Sequence, residues 1–101
     1  MSDNFTDEEI LALQTLVRKA NKNDRIVGLL HPVDLQFNNN TKDGRRSFKK
    51  VLRSLEQKDC FDILHFQDND KCIVDMIKIS RDCFEEIVEI NEEESNEQTN
   101  Q

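Results

Sequence analysis

An amphipathic basic segment, residues 42–58, constrains the fold of this chain more than any other stretch. Its apolar side chains recur at i, i+3, i+4 and i+7, the spacing that places them on one face of an α-helix: Phe48, Val51, Leu52 and Leu55. At roughly 100° per residue, the opposite face carries Arg46, Lys50, Arg53 and Gln57. The pattern predicts a helix over residues 44–58 that buries an apolar face and exposes a basic one.

The charge of this segment is opposite to that of the whole chain. The 101-residue chain has a formal net charge of -7, whereas the segment holds seven bases against two acids, Asp43 and Glu56, and so has a local net charge of +5. A basic helix face is often simply solvated, but acidic partners four residues away are nearly absent from this one. The pattern therefore favours a face used for contact.

The length and composition predict one soluble domain with a modest core. A chain of 101 residues cannot build a second core. It has no run of about 18 apolar residues that would span a membrane, and its acidic N-terminus has no apolar signal region. The cysteines are odd in number and lack paired spacing, which favours reduced thiols: Cys60, Cys72 and Cys83. These features favour a cytosolic or nuclear compartment, and we expect a cytoplasmic protein.

The stretch before the basic helix predicts one long helix followed by less regular structure. Thr6 and Glu9 have the spacing of a capping box, so a first helix is expected from Thr6 to about Asn21. Residues 25–30 fit either a short strand or the lead into a second helix. Residues 33–37, after Pro32, fit a short helix or an extended segment. Residues 38–44 read as a polar turn, with Thr41 or Asp43 as cap of the basic helix.

The stretch after the basic helix predicts a β-hairpin and a closing helix. Residues 61–67 and 72–79 are rich in strand formers and are separated by a short polar turn at residues 68–71. Ser80 is a suitable N-cap for a last helix from Arg81 to about Ile90. The domain is therefore expected to comprise residues 1–90. Residues 91–101 contain no apolar side chain and predict a disordered acidic tail, either merely solvated or competing for the basic helix.

This order of elements resembles the winged helix-turn-helix superfamily over roughly residues 6–90. The run from Val51 to Phe61 looks like the end of a recognition helix that leads into the first wing strand, as in regulators of the multiple-antibiotic-resistance-regulator type. The run Ile77-Lys78-Ile79-Ser80 similarly resembles the return strand of a wing followed by a helix cap. The resemblance implies an α+β, mostly helical fold with a β-hairpin wing and a C-terminal helix.

The chain departs from this pattern at two places. Asp59 and Cys60 stand where the turn before the first wing strand usually holds glycine. The expected wing tip, Asp68-Asn69-Asp70-Lys71, is more acidic than a wing that grips phosphate should be. The second departure implies that the basic helix, more than the wing, carries the contact.

The resemblance implies that the basic helix is the recognition helix of a small transcriptional regulator, which binds double-stranded DNA sequence-specifically through the major groove. Arginine suits guanine edges or phosphate, glutamine reads adenine, and lysine suits phosphate. The residues expected at the DNA are Lys42, Arg45, Arg46, Lys49, Lys50, Arg53, Gln57 and Lys58. Because such proteins commonly pair on palindromic sites, a homodimer through the first and last helices is expected.

The sequence argues against chemistry at a metal or a nucleophile. With two glycines the chain has no glycine-rich loop, nucleophile elbow or phosphate-binding loop, so we expect no enzyme activity and no small-molecule cofactor. A zinc set is conceivable, but the absence of a Cys-x-x-Cys motif or close histidine pair favours ordinary core thiols. Its members would be Cys60, His65, Cys72 and Cys83.

The alternative function is a winged-helix protein-protein interaction module, an adaptor or subunit with no DNA binding of its own. The net charge of -7 fits such a module well. The two functions predict different surroundings for the basic face. Ion pairs from Arg46, Lys50 and Arg53 to acids of the last helix (Glu85, Glu86 or Glu89) would favour the module, and cations without acidic neighbours would favour DNA.

Overall fold

The protein is a small α+β domain with a three-stranded antiparallel sheet. The structure, a computed structural model, describes residues 5–67 and 73–99, with side chains up to residue 92. Its elements are α1 (Asp7–Lys19), β1 (Ile26–Val27), a 3-10 helix (Pro32–Leu35), α2 (Lys42–Gln57), β2 (Phe61–Phe66), β3 (Val74–Ile79) and α3 (Arg81–Thr99). The sheet has the order β1-β3-β2. None of the helices within the described residues is long and apolar enough to cross a membrane.

Helix α1 begins where the capping box predicts. The Glu9 amide donates to the Thr6 hydroxyl oxygen at 3.1 Å, and the Thr6 amide donates to Glu9 Oε1 at 2.9 Å. Two amides that the helix itself leaves unpaired are thereby satisfied. Leu13 and Leu16 then point into the core and are fully buried.

The two ambiguous segments adopt short, distinct structures. Residues Ile26 and Val27 form a strand that pairs with Lys78 and Ile77 of β3. Pro32 opens a 3-10 helix in which the His31 amide donates to Asp34 Oδ2 at 2.8 Å. Proline suits a first helical turn because that position needs no amide donor.

Helix α2 starts two residues earlier than predicted. Thr41 is its N-cap and accepts from the Gly44 amide at 3.0 Å, so Gly44 lies in the first helical turn and not in the preceding polar loop. The four apolar residues predicted for its inner face are all buried: Phe48, Val51, Leu52 and Leu55. They form part of a single core with side chains from α1, the sheet and α3.

Asp59 explains how α2 ends without the usual glycine. Its φ of 62° is left-handed. The Asp59 amide donates to Glu56 O at 3.1 Å and the Cys60 amide to Leu55 O at 3.1 Å, which is a Schellman motif. Aspartate tolerates this conformation better than most residues but still at a cost that glycine avoids. The chain thus keeps the turn that glycine would make and fills it with Asp59.

Asp59→Gly should therefore stabilise the fold by about 0.5–1 kcal/mol, because strain at a left-handed residue exceeds the extra entropy that glycine brings to the unfolded chain. The expected result is a melting temperature about 3–5 °C higher. Asp82→Gly, at an exposed position inside α3, is the matched control and should be destabilising. A lower melting temperature for Asp59→Gly would contradict the assignment of strain.

The hairpin is present and the last helix is longer than predicted. β2 and β3 pair with the register Leu64 opposite Ile77, while the expected wing tip at residues 68–71 and Cys72 lie outside the described residues. α3 continues to Thr99, so its predicted end near Ile90 is too early. The division of the chain into a domain of residues 1–90 and an acidic tail stays a prediction. Residues 91–99 contain neither glycine nor proline, and the absence of apolar residues signals only that this stretch has no core to pack on.

The cysteines of the described residues belong to the core. Cys60, just before β2, and Cys83, in the first turns of α3, are buried free thiols. The expectation of ordinary core thiols is confirmed for these two residues. His65 instead lies exposed on β2, where its Nδ1 is 3.2 Å from Asp75 Oδ2.

Candidate nucleic-acid interface

Helix α2 presents one continuous polar face to solvent. Because its apolar row is buried against α1 and the hairpin, the residues on the other side are turned outward. Six of the eight residues predicted to contact DNA are exposed on α2 itself: Lys42, Arg46, Lys49, Lys50, Arg53 and Gln57. The structure therefore brings most of the predicted set together on one surface, which we call the basic face of α2.

Arg46 and Lys50 are the least constrained cations of this face. They stand four residues apart, one helical turn, and neither forms an ion pair or side-chain hydrogen bond with any residue that the structure describes. The same holds for Lys42 at the start of the helix. None of these side chains is paired with Glu85, Glu86 or Glu89 of α3, the arrangement that would have favoured the protein-protein interaction module.

Arg53 is exposed but held at two points. Its Nη1 lies 2.9 Å from Glu56 Oε1 on the same helix, and its Cζ lies 4.7 Å from the centroid of the Phe66 ring on β2. Lys49 Nζ lies 5.8 Å from the same centroid. Both distances are within the range in which a cation is attracted to an aromatic face. With a side-chain exposure of 46%, Arg53 is still open to a partner.

Arg45 and Lys58, at the two ends of the helix, make structural contacts. Arg45 is half-buried and its Nη1 donates to Asn39 O at 2.9 Å, which ties the helix to the preceding loop. Lys58 Nζ donates to Glu9 Oε1 at 2.6 Å and lies 5.4 Å from the Phe5 ring centroid. The structure therefore gives both residues a partner within the chain, whereas Arg46 and Lys50 have none among the residues that the structure describes.

Glu9 is the buried acid that links α1 to the end of α2. Its carboxylate accepts from Lys58 Nζ, from Ser54 Oγ at 2.6 Å and from the Thr6 amide, and its side chain is 4% exposed. Burial alone would raise the pKa of this carboxyl, but the hydrogen bonds from Lys58, Ser54 and Thr6 together outweigh it and lower the pKa from 4.5 to about 2. This network fixes the position of α2, and with it that of the basic face.

The sequence does not reveal the two side chains that hold these cations, Phe66 and Glu9. Phe66 looks like any other aromatic strand residue, and no local pattern connects it to Arg53. Glu9 carries a capping-box signal towards Thr6, but nothing in the sequence points to Lys58, which is 49 residues away. Both contacts arise only when α2 is packed between α1 and the hairpin.

Neither a protein-family model, nor a curated protein, nor a solved structure matches this chain. The assignment of a function therefore depends on the geometry and charge of the basic face of α2.

Proposed function

We propose that this chain is a winged helix-turn-helix protein that binds double-stranded DNA sequence-specifically, as a small transcriptional regulator, with α2 in the major groove. The observation that carries this proposal is the basic face of α2, whose outward cations Lys42, Arg46 and Lys50 have no acidic partner among the described residues. In a chain with a net charge of -7, such a concentration of unpaired positive charge indicates an anionic partner.

The order of the elements supports the fold part of the proposal. The 3-10 helix and α2, joined by residues 36–41, correspond to the two helices of a helix-turn-helix, and the β2–β3 hairpin corresponds to the wing. β1, which precedes these helices in the chain, pairs with β3 and adds a third strand to the hairpin. The left-handed Asp59 makes the turn into the first wing strand that glycine makes in the proteins that the sequence resembles.

The dimensions of α2 suit a major groove, which is about 12 Å wide. Arg46 and Arg53 are two helical turns apart, a rise of roughly 10 Å, so the face spans several phosphates or base pairs. We assign Lys42, Lys49 and Lys50 to phosphate contacts. Arg46 and Gln57 are the candidates for base edges, because arginine forms bidentate contacts with guanine and glutamine with adenine.

Pairing of two chains through α1 and α3 belongs to the same proposal. A single recognition helix makes few phosphate contacts, and a second copy would double them on a palindromic site. Leu11, on the outer side of α1 and 63% exposed, is the apolar residue that supports contact there. The stoichiometry of the complex, two chains per short duplex, is the measurement that decides this part.

Arg46→Ala/Lys50→Ala should weaken binding to a random-sequence duplex by about 10- to 100-fold at low salt, because two phosphate or base contacts are lost. The slope of log K against log salt should become shallower by about 0.9, because Lys50 is the one of the two assigned to phosphate. A change of about 1.8 would place Arg46 on phosphate as well. Fluorescence anisotropy with a labelled duplex measures both quantities, and selection from a duplex library then identifies a preferred site.

Lys22→Ala/Lys78→Ala is the matched control, since it removes the same charge from residues outside α2 and outside the helices α1 and α3 of the proposed dimer contact. It should leave affinity within a few-fold of wild type. If the wild-type chain shows no salt-sensitive DNA binding, the regulator proposal is wrong. If both double variants lose affinity equally, overall charge is responsible and not the basic face.

A protein-contact module remains the second candidate because of the outer side of the hairpin. Ile63 and Met76 are exposed there. Ile63 lies on the same face as His65, two residues along β2, and His65 pairs with Met76, so Ile63 and Met76 share one face of the hairpin. Leu29, which follows β1, is exposed as well. Exposed apolar side chains on a sheet favour contact with another protein. This function gains support if the wild-type chain fails to bind DNA.

A further inference from the structure

We propose that Phe66 is a positioning residue for DNA binding, whose ring holds Arg53 and Lys49 at the junction of α2 and the hairpin. This inference depends on the proposed DNA-binding function. It rests on the position of the half-buried Phe66 ring on β2, which faces two cations of the basic face. The ring centroid lies 4.7 Å from Arg53 Cζ and 5.8 Å from Lys49 Nζ. Residues 49 and 53 are one helical turn apart, so a single ring can serve both.

The hairpin geometry fixes the ring in this position. In the register, His65 lies opposite Met76 but Phe66 opposite Val74, so Asp75 is an extra residue in β3. Such a bulge redirects side chains. Both chain neighbours of Phe66 contact the carboxylate of Asp75. His65 Nδ1 lies 3.2 Å from Asp75 Oδ2, and Gln67 Nε2 donates to Asp75 Oδ1 at 2.9 Å. Because successive strand residues point to opposite faces, this clamp leaves the Phe66 ring directed at α2.

The contact leaves the cations able to bind a partner. The guanidinium of Arg53 has five N–H donors in a fixed plane, of which Nη1 is used by Glu56. The remaining donors are open to a phosphate or a guanine edge. Lys49 is exposed, and no hydrogen bond or ion pair joins its ammonium to a described residue. A side chain already held over a ring loses less conformational freedom on binding than a mobile one.

The ring also places these cations next to the wing. Phe66 is the last residue of β2, where the chain leaves the sheet towards the hairpin tip. Arg53 and Lys49 are therefore positioned on the hairpin side of α2, whereas Lys42 and Arg46 lie nearer its start. We infer that Arg53 and Lys49 grip the phosphates on the wing side of the groove.

Phe66→Leu tests this role because leucine keeps an apolar side chain but has no aromatic face. We expect affinity for a random-sequence duplex to fall by about three- to tenfold, the effect of losing one or two partly exposed cation–ring contacts. Phe66→Trp should retain affinity within about twofold, because tryptophan binds cations best. In a Lys49→Gln/Arg53→Gln background, Phe66→Leu should cause no further loss. A merely structural residue would show the same loss in both backgrounds.

Two controls keep the result interpretable. Phe37→Leu makes the same change at another half-buried phenylalanine, which contacts the Phe48 ring, and should not change DNA affinity. In the free protein, the ring-current shifts of the Arg53 side-chain protons should disappear in Phe66→Leu. Wild-type binding together with unchanged binding by Phe66→Leu overturns this inference alone. A wild-type chain that does not bind DNA overturns the proposed function and this inference together.

Discussion

Replacing Glu9 by glutamine should lower the free energy of unfolding at neutral pH by about 3 kcal/mol, the equivalent of the difference between the folded and ordinary pKa of its carboxyl. The carboxylate is almost fully buried and accepts hydrogen bonds from Lys58, Ser54 and the Thr6 amide. Glutamine offers one acceptor oxygen and one NH2 group, so at least one donor would face another donor. The side chain of Lys58 is 32% exposed and its ammonium can turn to solvent, so the cost arises mainly at the buried donors Ser54 and the Thr6 amide.

The same network makes the free energy of unfolding depend on pH between about 2 and 4.5. The pKa of Glu9 is about 2 in the folded chain against an ordinary 4.5, so the unfolded chain binds the proton more readily between these values. The contribution of Glu9 is fully present above pH 4.5 and is lost as the pH falls towards 2. The Glu9→Gln variant lacks this carboxyl and should lose less stability over that range.

Urea unfolding followed by far-UV circular dichroism measures both effects, since the chain has no tryptophan or tyrosine to report by fluorescence. Glu8→Gln is the matched control, an exposed glutamate in the same helical turn, and should change stability by no more than about 0.5 kcal/mol. Equal destabilisation by the two variants, or the same acid dependence in wild type and Glu9→Gln, would contradict the role given to this network.

The first helix, the basic helix and the hairpin strands were predictable because their signals are local. The capping box of Thr6 and Glu9, the choice of Thr41 or Asp43 as cap and the apolar row of α2 each depend on residues within about two helical turns. The strands of the hairpin were predicted for the same reason. The predicted end of α3 is wrong because a lack of apolar residues excludes core packing but does not exclude a helix.

The candidate site was predictable in its composition but not in its connections. The sequence grouped eight polar residues on or beside one helix, and the structure exposes six of them on the basic face of α2. It could not separate Arg46 and Lys50, which have no partner among the described residues, from Lys58, which is bound to Glu9. That distinction depends on tertiary contacts between α1 and α2, for which a single sequence carries no signal.

Gly44 is the second position at which a small change should have a large effect. Replacing glycine by alanine inside a helix normally stabilises it by about 1 kcal/mol. Here a Cβ on Gly44 would overlap Asn38 O and lie 2.8 Å from Asn38 N. Both are backbone atoms, which cannot move aside by a rotamer change. Gly44→Ala should therefore destabilise the fold by about 3 kcal/mol, the upper end of the cost that overpacking a well-packed site usually has.

Because Gly44 lies against the backbone of Asn38, the first turn of α2 packs directly on the loop before it. Its amide donates to Thr41, the N-cap of that helix, so relief of the clash would have to move the loop or the first turn of the basic face. Ser47→Ala, at an exposed position one turn further along α2, is the matched control and should change stability by less than about 0.5 kcal/mol. A Gly44→Ala protein that is as stable as wild type, or more so, would show that Asn38 does not pack against this turn. In that case ordinary helix propensity would govern the start of α2.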